Sequence, residues 1–102
     1  MSVKKINEKE FKEIISNNDK VLIDCYADWC GPCKMISPII DELSEEIKNC
    51  KFYKLNVDEA EEVSREYGIM SIPTILIFEN KEEKERIIGF KPKEELESII
   101  NK

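Results

Sequence analysis

The chain has no histidine, so proton transfer near neutral pH falls to carboxylates, lysines, thiols or water. It is also short of positive charge. Against 22 Asp and Glu stand 16 Lys and Arg, and the net charge of −6 argues against nucleic acid or an anionic membrane as the main partner. No apolar run approaches the length of a membrane span, and there is neither an internal repeat nor a low-complexity tract. The opening Met1-Ser2-Val3-Lys4-Lys5-Ile6-Asn7-Glu8 lacks the apolar stretch of a signal peptide, which makes the cytosol the expected compartment. What remains is the profile of a soluble globular protein, 41% hydrophobic and 37% charged, in one domain spanning residues 1–102. A chain of that size buries roughly 60–70% of its unfolded surface and needs no disulfide to fold.

Of the 4 cysteines, two sit three apart in Trp29-Cys30-Gly31-Pro32-Cys33-Lys34, where an apolar strand-like run hands over to a helix-like one. In a reducing compartment such a pair is catalytic or metal-binding rather than structural. On the first turn of a helix, a rise of about 1.5 Å per residue and a radius of about 2.3 Å put their Cα atoms roughly 5 Å apart, within disulfide range. So short a loop removes little entropy from the unfolded chain, so a bond there suits reversible chemistry better than it staples a fold. Free backbone N–H groups and the helix dipole stabilise a thiolate at a helix start by about 0.3–2 kcal/mol. Cys30, the more N-terminal and on this reading the more exposed, is the expected nucleophile toward a substrate disulfide, with Cys33 resolving the mixed disulfide. Pro32 lacks a donor where the first turn needs none, and Gly31 leaves room for a partner's backbone. The blander reading is two unpaired structural thiols.

The spacing Cys25-x4-Cys30-x2-Cys33, with Cys50 beyond, imitates the opening of a plant-type iron–sulfur site. Cys25 lies inside an apolar strand run, however, and Cys50 ends a helix roughly 25 Å from Cys33. A zinc site lacks its second ligand pair. Neither metal nor cofactor is expected; Cys25 reads as a small core hydrophobe and Cys50 as a semi-exposed thiol.

Along the chain, Asn7 with Glu10 reads as a capping box, and Phe11, Ile14 and Ile15 give the following helix one apolar face up to Asn17-Asn18-Asp19. Residues 21–27 form a nearly unbroken apolar run, which predicts a central strand buried on both faces. Ile36, Ile39, Ile40, Leu43 and Ile47 recur at helical spacing, with Pro38 expected to bend that helix. Residues 51–57 alternate with period two, so strand, helix and strand make a right-handed crossover with parallel strands. Asp58 reads as the cap of a short helix carrying Ala60, Val63 and Tyr67, with Glu61 completing a box and Gly68 ending it. Residues 74–78 and 84–88 predict an antiparallel hairpin, and Pro92 opens a closing helix with Leu96, Ile99 and Ile100 on its apolar face. The elements assemble as an α/β fold, a mixed sheet between helices on both faces.

Asp24 interrupts the central apolar run. Burial there raises a carboxylate's pKa, and an acid tuned toward neutrality can take the Cys33 proton, directly or through water, as that thiol becomes the second nucleophile. The competing reading is a strand-end Asp bonded to nearby backbone. Lys54, on the neighbouring strand, either modulates Asp24 or is a solvated surface lysine. Pro73 opens a strand after a β-branched residue, a setting in which cis bonds occur although trans is the majority.

Together, Ile23-Asp24-Cys25-Tyr26-Ala27, the Trp29 to Lys34 site, Pro38, Lys54-Leu55-Asn56-Val57-Asp58, Tyr67-Gly68-Ile69 before Ile72-Pro73-Thr74, and Gly89 resemble the thioredoxin family over nearly the whole chain. The resemblance implies the thioredoxin fold: a central mixed five-stranded sheet in order 1-3-2-4-5, its last two strands antiparallel to the rest, flanked by four helices. It also implies a thiol–disulfide oxidoreductase, a general protein disulfide reductase in which Cys30 attacks and Cys33 resolves, with Asp24 as proton acceptor and Lys54 in support. Pro73 is implied to be cis beside the disulfide, and Ile72 to offer backbone groups to an extended substrate. Trp29, Gly31, Pro32, Ile72, Pro73 and Gly89, with Ile88 and Phe90, then line an apolar docking surface. The implied partners are thioredoxin reductase and disulfide-containing proteins, met by a monomer, with no role for nucleic acid or membrane. The alternative is a redox-dependent binding or regulatory module without turnover, which the intact cysteine pair and near-minimal length disfavour. Two departures from the family stand out. Ser71 replaces a common glycine and bears on substrate or reductase recognition, whereas the turn Asn80-Lys81-Glu82 lacks its usual glycine and bears on turn geometry.

Overall fold

The structure, a computed structural model, describes residues 3–102; Met1 and Ser2, which open the stretch read above for a signal peptide, lie outside the described residues. In chain order it forms β1 (Lys4–Ile6), α1 (Glu8–Asn17), β2 (Lys20–Tyr26), α2 (Gly31–Glu46), β3 (Lys51–Asn56), a 3-10 turn (Val57–Glu59), α3 (Glu61–Glu66), β4 (Thr74–Glu79), β5 (Glu82–Ile88) and α4 (Lys93–Ile100). The strands make one sheet in the order β1-β3-β2-β4-β5. β1 and β2 both pair parallel with β3, whereas β4 runs antiparallel to β2, and β5 antiparallel to β4. Only β4 is therefore reversed. A tight hairpin turns the chain back on itself, so β5 points the same way as the first three strands, which corrects the expectation that both last strands oppose the rest. β1, with two of its three residues exposed, is too short for alternation to register, and only the family resemblance implied a fifth strand.

Alternation along β2 and β4 sends Leu22, Ile75 and Ile77 into one apolar layer with Ile36, Ile40 and Leu43 of α2 and Leu96 and Ile100 of α4. Val21, Ile23, Cys25, Leu76 and Phe78 enter the other, with Phe11 and Ile15 of α1 and Val63 of α3. Phe11, Tyr67 and Phe78 meet there edge to face, with ring centroids 5.3, 5.8 and 5.6 Å apart. Both faces of β2 are thus covered, as its apolar run predicts.

The expected capping box is present at α1: Asn7 Oδ1 accepts the Glu10 N–H at 2.8 Å, and Glu10 Oε1 accepts the Asn7 N–H at 2.9 Å. Asp58, however, does not cap α3. It lies in the 3-10 turn, where Asn56 Oδ1 accepts its N–H at 2.9 Å, and α3 starts behind Ala60, which has no side-chain acceptor for Glu61 to complement. The first turn of α3 is met instead from α1, through Glu8 Oε2 and the Val63 N–H at 2.8 Å. Gly68 does end the helix at φ 61°, with its own N–H on the Arg65 carbonyl and the Ile69 N–H on Ser64. α2 continues across Pro38, and Pro92 stands just outside α4 as its N-cap. The β4–β5 turn solves its lack of glycine by holding Asn80 and Lys81 themselves at φ 53° and 74°.

Candidate active site

The chain leaves the sheet at the end of β2 and delivers Cys30 to the N-cap of α2 with an extended backbone, φ −89° and ψ 113°. Its Sγ accepts the Cys33 N–H at 3.1 Å, one of the donors that a helix start leaves free. Cys30 and Cys33 form a disulfide with Cα atoms 5.3 Å apart, as the helix geometry anticipates. Both are buried, at 4% and 3% exposure, so Cys30 is not set apart by the greater exposure that its N-terminal position predicts. What separates them is position: Cys30 is the N-cap and receives the helix donor. Pro32 is the second residue of α2, and a Cβ placed on Gly31 would meet none of the described residues within 4 Å.

Around the sulfurs, Ala27 is buried with the two cysteines, and Tyr26, Val57 and Ile72 pack against them. Ile72 is followed by a cis bond to Pro73, whose carbonyl accepts the Gly89 N–H at 2.8 Å. Gly89 holds φ 85°, the left-handed region glycine enters freely, and so ties the end of β5 to the cis-proline loop. Trp29 is 71% exposed and its Nε1 donates to Asp58 Oδ2 at 2.8 Å, the contact that Asp58 makes in place of capping α3. Ile88 and Phe90 are exposed as well. The residue pattern gave no role to Met70, 93% exposed two residues before Ile72. Its one signal in the sequence is a large apolar side chain in a stretch that neither helix nor strand claims.

Beneath the disulfide, Asp24 sits within β2 in register with Lys54 of β3 and Ile75 of β4. It is buried, and among the described residues its Oδ1 has no hydrogen-bond partner, which is not the setting of a strand-end Asp bonded to backbone. Burial pushes its pKa up to about 7, against the opposing pull of Lys54 and with a further push from Asp41. Asp24, Cys33, Ser37 and Lys54 line one cavity of about 150 Å³. Lys54 is half-buried there, with Nζ 5.7 Å from the Tyr26 ring centroid, rather than a solvated surface lysine.

The other two thiols lie elsewhere. Cys25 is in the layer with Phe11 and Cys50 in the layer under α2, so the four sulfurs do not converge. Among the described residues no three His, Cys, Asp or Glu side chains are grouped to hold a metal. Cys50 is buried rather than semi-exposed, because it packs into the α2 layer, and burial pushes its thiol up to about 11. Burial pushes the Cys25 thiol up as well. Neither is poised to ionise near neutral pH.

A disulfide that spans three residues at a helix start contributes little to holding the fold, yet its acceptor sulfur faces a helix donor and a near-neutral buried acid shares a cavity with its other end. Such an arrangement defines a thiol–disulfide oxidoreductase. Residues 2–102 match the family model described as Thioredoxin, and the chain belongs to the thioredoxin family. It is 46% identical over 104 residues to a thioredoxin of Pyropia yezoensis, covering 100% of this chain and 97% of that protein. To a thioredoxin of Rickettsia felis it is 50% identical over 92 residues, covering 89% and 88%. A solved Plasmodium falciparum thioredoxin superposes with a TM-score of 0.92 at 36% identity, over 97% of each chain. The protein is accordingly a protein disulfide reductase with a redox-active cysteine pair, and family membership implies disulfide-containing proteins as substrates and a reductase as partner. Among the described residues no helix is long and apolar enough to cross a membrane.

Proposed function

We propose that Cys30 is the attacking thiol and Cys33 the resolving one. The Cys30 thiolate attacks one sulfur of a substrate disulfide, a Cys30–substrate bond forms, and the first substrate thiolate leaves. Cys33 then loses its proton and attacks Cys30 Sγ; the second substrate thiolate leaves and the Cys30–Cys33 bond closes. Two electrons pass from the dithiol to the substrate. The cavity that Cys33 shares with Asp24 carries the reading, because it gives the second thiol a proton acceptor whose pKa lies near 7, directly or through a water. Lys54, in register beside Asp24, supports the acid in its charged form.

Substrates dock on this reading along Trp29, Gly31, Pro32, Ile72, Pro73 and Gly89, with Met70 added, and the Ile72 backbone pairs with an extended segment. Thioredoxin reductase restores the dithiol, so the chain acts as a two-electron carrier; it does so in the cytosol, as a monomer, with residues 1–102 as one domain. One structural neighbour concerns thiol resolution in a yeast mitochondrial 1-Cys peroxiredoxin via glutathione/thioredoxin systems, which supports a protein disulfide as the substrate class. Replacing Cys30 with serine should abolish reductase-coupled reduction of insulin disulfides. Turnover retained by that variant would overturn the assignment.

A further inference from the structure

The pairing of β4 with β5 slips by one residue. Ile77 faces Glu85 and Phe78 faces Glu83, so Lys84 is the extra residue of a β-bulge. In a regular strand, residues three apart point to opposite faces. The bulge cancels that alternation and brings Glu83, opposite Phe78, and Arg86, opposite Leu76, onto the same face of the sheet. There Arg86 Nε and Nη2 donate to Glu83 Oε2 and Oε1 at 2.8 and 3.0 Å, a two-point fork.

The same guanidinium extends beyond the sheet. Nη2 donates to the Tyr67 carbonyl and Nη1 to the Gly68 carbonyl at 3.3 Å, at the point where the chain leaves α3. Among the described residues these carbonyls have no helical partner of their own, and immediately after them come residues 69–72, with the exposed Met70 and with Ile72 against the cysteines. We propose that Glu83 and Arg86 form a clamp, assembled by the bulge, that positions residues 69–72 and so sets affinity for protein substrates without touching the reacting sulfurs. The inference rests on the docking surface proposed above. With Arg86 fixed at its base, the stretch meets a substrate already ordered; without it, ordering is part of the binding step and weakens it.

The test compares Arg86→Met, Arg86→Lys and Trp29→Ala in reductase-coupled reduction of insulin and in reduction of 5,5′-dithiobis(2-nitrobenzoate), a disulfide too small to need the docking stretch. Arg86→Met should raise the KM for insulin about 3- to 10-fold, the ordering of roughly one side chain, with kcat and the small-disulfide rate unchanged. Arg86→Lys keeps a cation but not the fork, and should fall between it and the parent protein. An unchanged KM in Arg86→Met, beside a raised one in Trp29→Ala, overturns the clamp and leaves the docking surface standing. An unchanged KM in both overturns the docking surface and the clamp with it. A parallel loss on insulin and on the small disulfide overturns the clamp in favour of a general effect on the fold. Should Arg86→Met not fold, Glu83→Gln, which spares the bonds to the carbonyls but weakens the fork, is judged by the same criteria, together with faster amide exchange confined to residues 69–72.

Discussion

Replacing Asp24 with asparagine keeps the side chain's shape and removes its ionisation, which isolates what a buried acid does to stability. Burial raises the Asp24 pKa from its ordinary 3.8 to about 7. Well below pH 3.8 the carboxyl is protonated in both folded and unfolded chains, and its full contribution to stability is present. Between pH 4 and 7 the unfolded chain releases the proton while the folded one keeps it, so stability falls as pH rises, and above pH 7 the whole difference has been lost. A gap of about three pKa units at about 1.4 kcal/mol each amounts to about 4 kcal/mol. The buried amide adds its own unfavourable polar burial, about 1–3 kcal/mol, but equally at every pH. Urea unfolding of the oxidised parent protein and of Asp24→Asn at pH 4, 5.5, 7 and 8.5 should therefore show the variant gaining on the parent by about 4 kcal/mol from the lowest pH to the highest, with most of the gain between pH 4 and 7. A difference that stays flat across that range would mean that Asp24 ionises normally in the folded protein, and the acid could not then serve as a proton acceptor tuned to neutral pH.

Two further variants test the frame that positions the site. Phe11→Ala removes the ring that meets both Tyr67 and Phe78 edge to face in a fully buried position, and should cost about 3–5 kcal/mol, seen as a lower urea midpoint at unchanged slope; a loss below about 1 kcal/mol would show that the layer closes over the gap. Gly68→Ala places a Cβ at φ 61° with none of the described residues within 4 Å, so backbone strain is what opposes it, and thermal unfolding should report a loss of about 1–2 kcal/mol.

The chemistry was legible in the sequence because its signals are local. Two cysteines on one helix turn and an acid in an apolar run need only a few neighbouring residues to stand out, and Asp24 proved buried within β2 and in register with Lys54. Contacts between distant residues left no such trace. Trp29 reaches Asp58 29 positions away, and Glu8 reaches Val63 55 positions away, and no periodicity encodes either pairing. Asp58 followed by Glu61 resembles a helix start, so the local rule misplaced the cap, whereas Ala60 begins the helix and a remote carboxylate meets it. Cys50 looked half-exposed at a helix end because its burial depends on packing against the α2 layer, which only the assembled sheet creates. The Glu83–Arg86 pairing was hidden for a sharper reason, since without the bulge at Lys84 the strand period puts the two side chains on opposite faces.

The order of the sulfurs is tested most directly by trapping. Reduced Cys33→Ser protein, mixed with a peptide disulfide and digested without reductant, should carry one peptide adduct, and mass spectrometry should place it on Cys30. An adduct on Cys25 or Cys50, or none at all from a folded protein, would contradict the proposal that Cys30 attacks and Cys33 resolves.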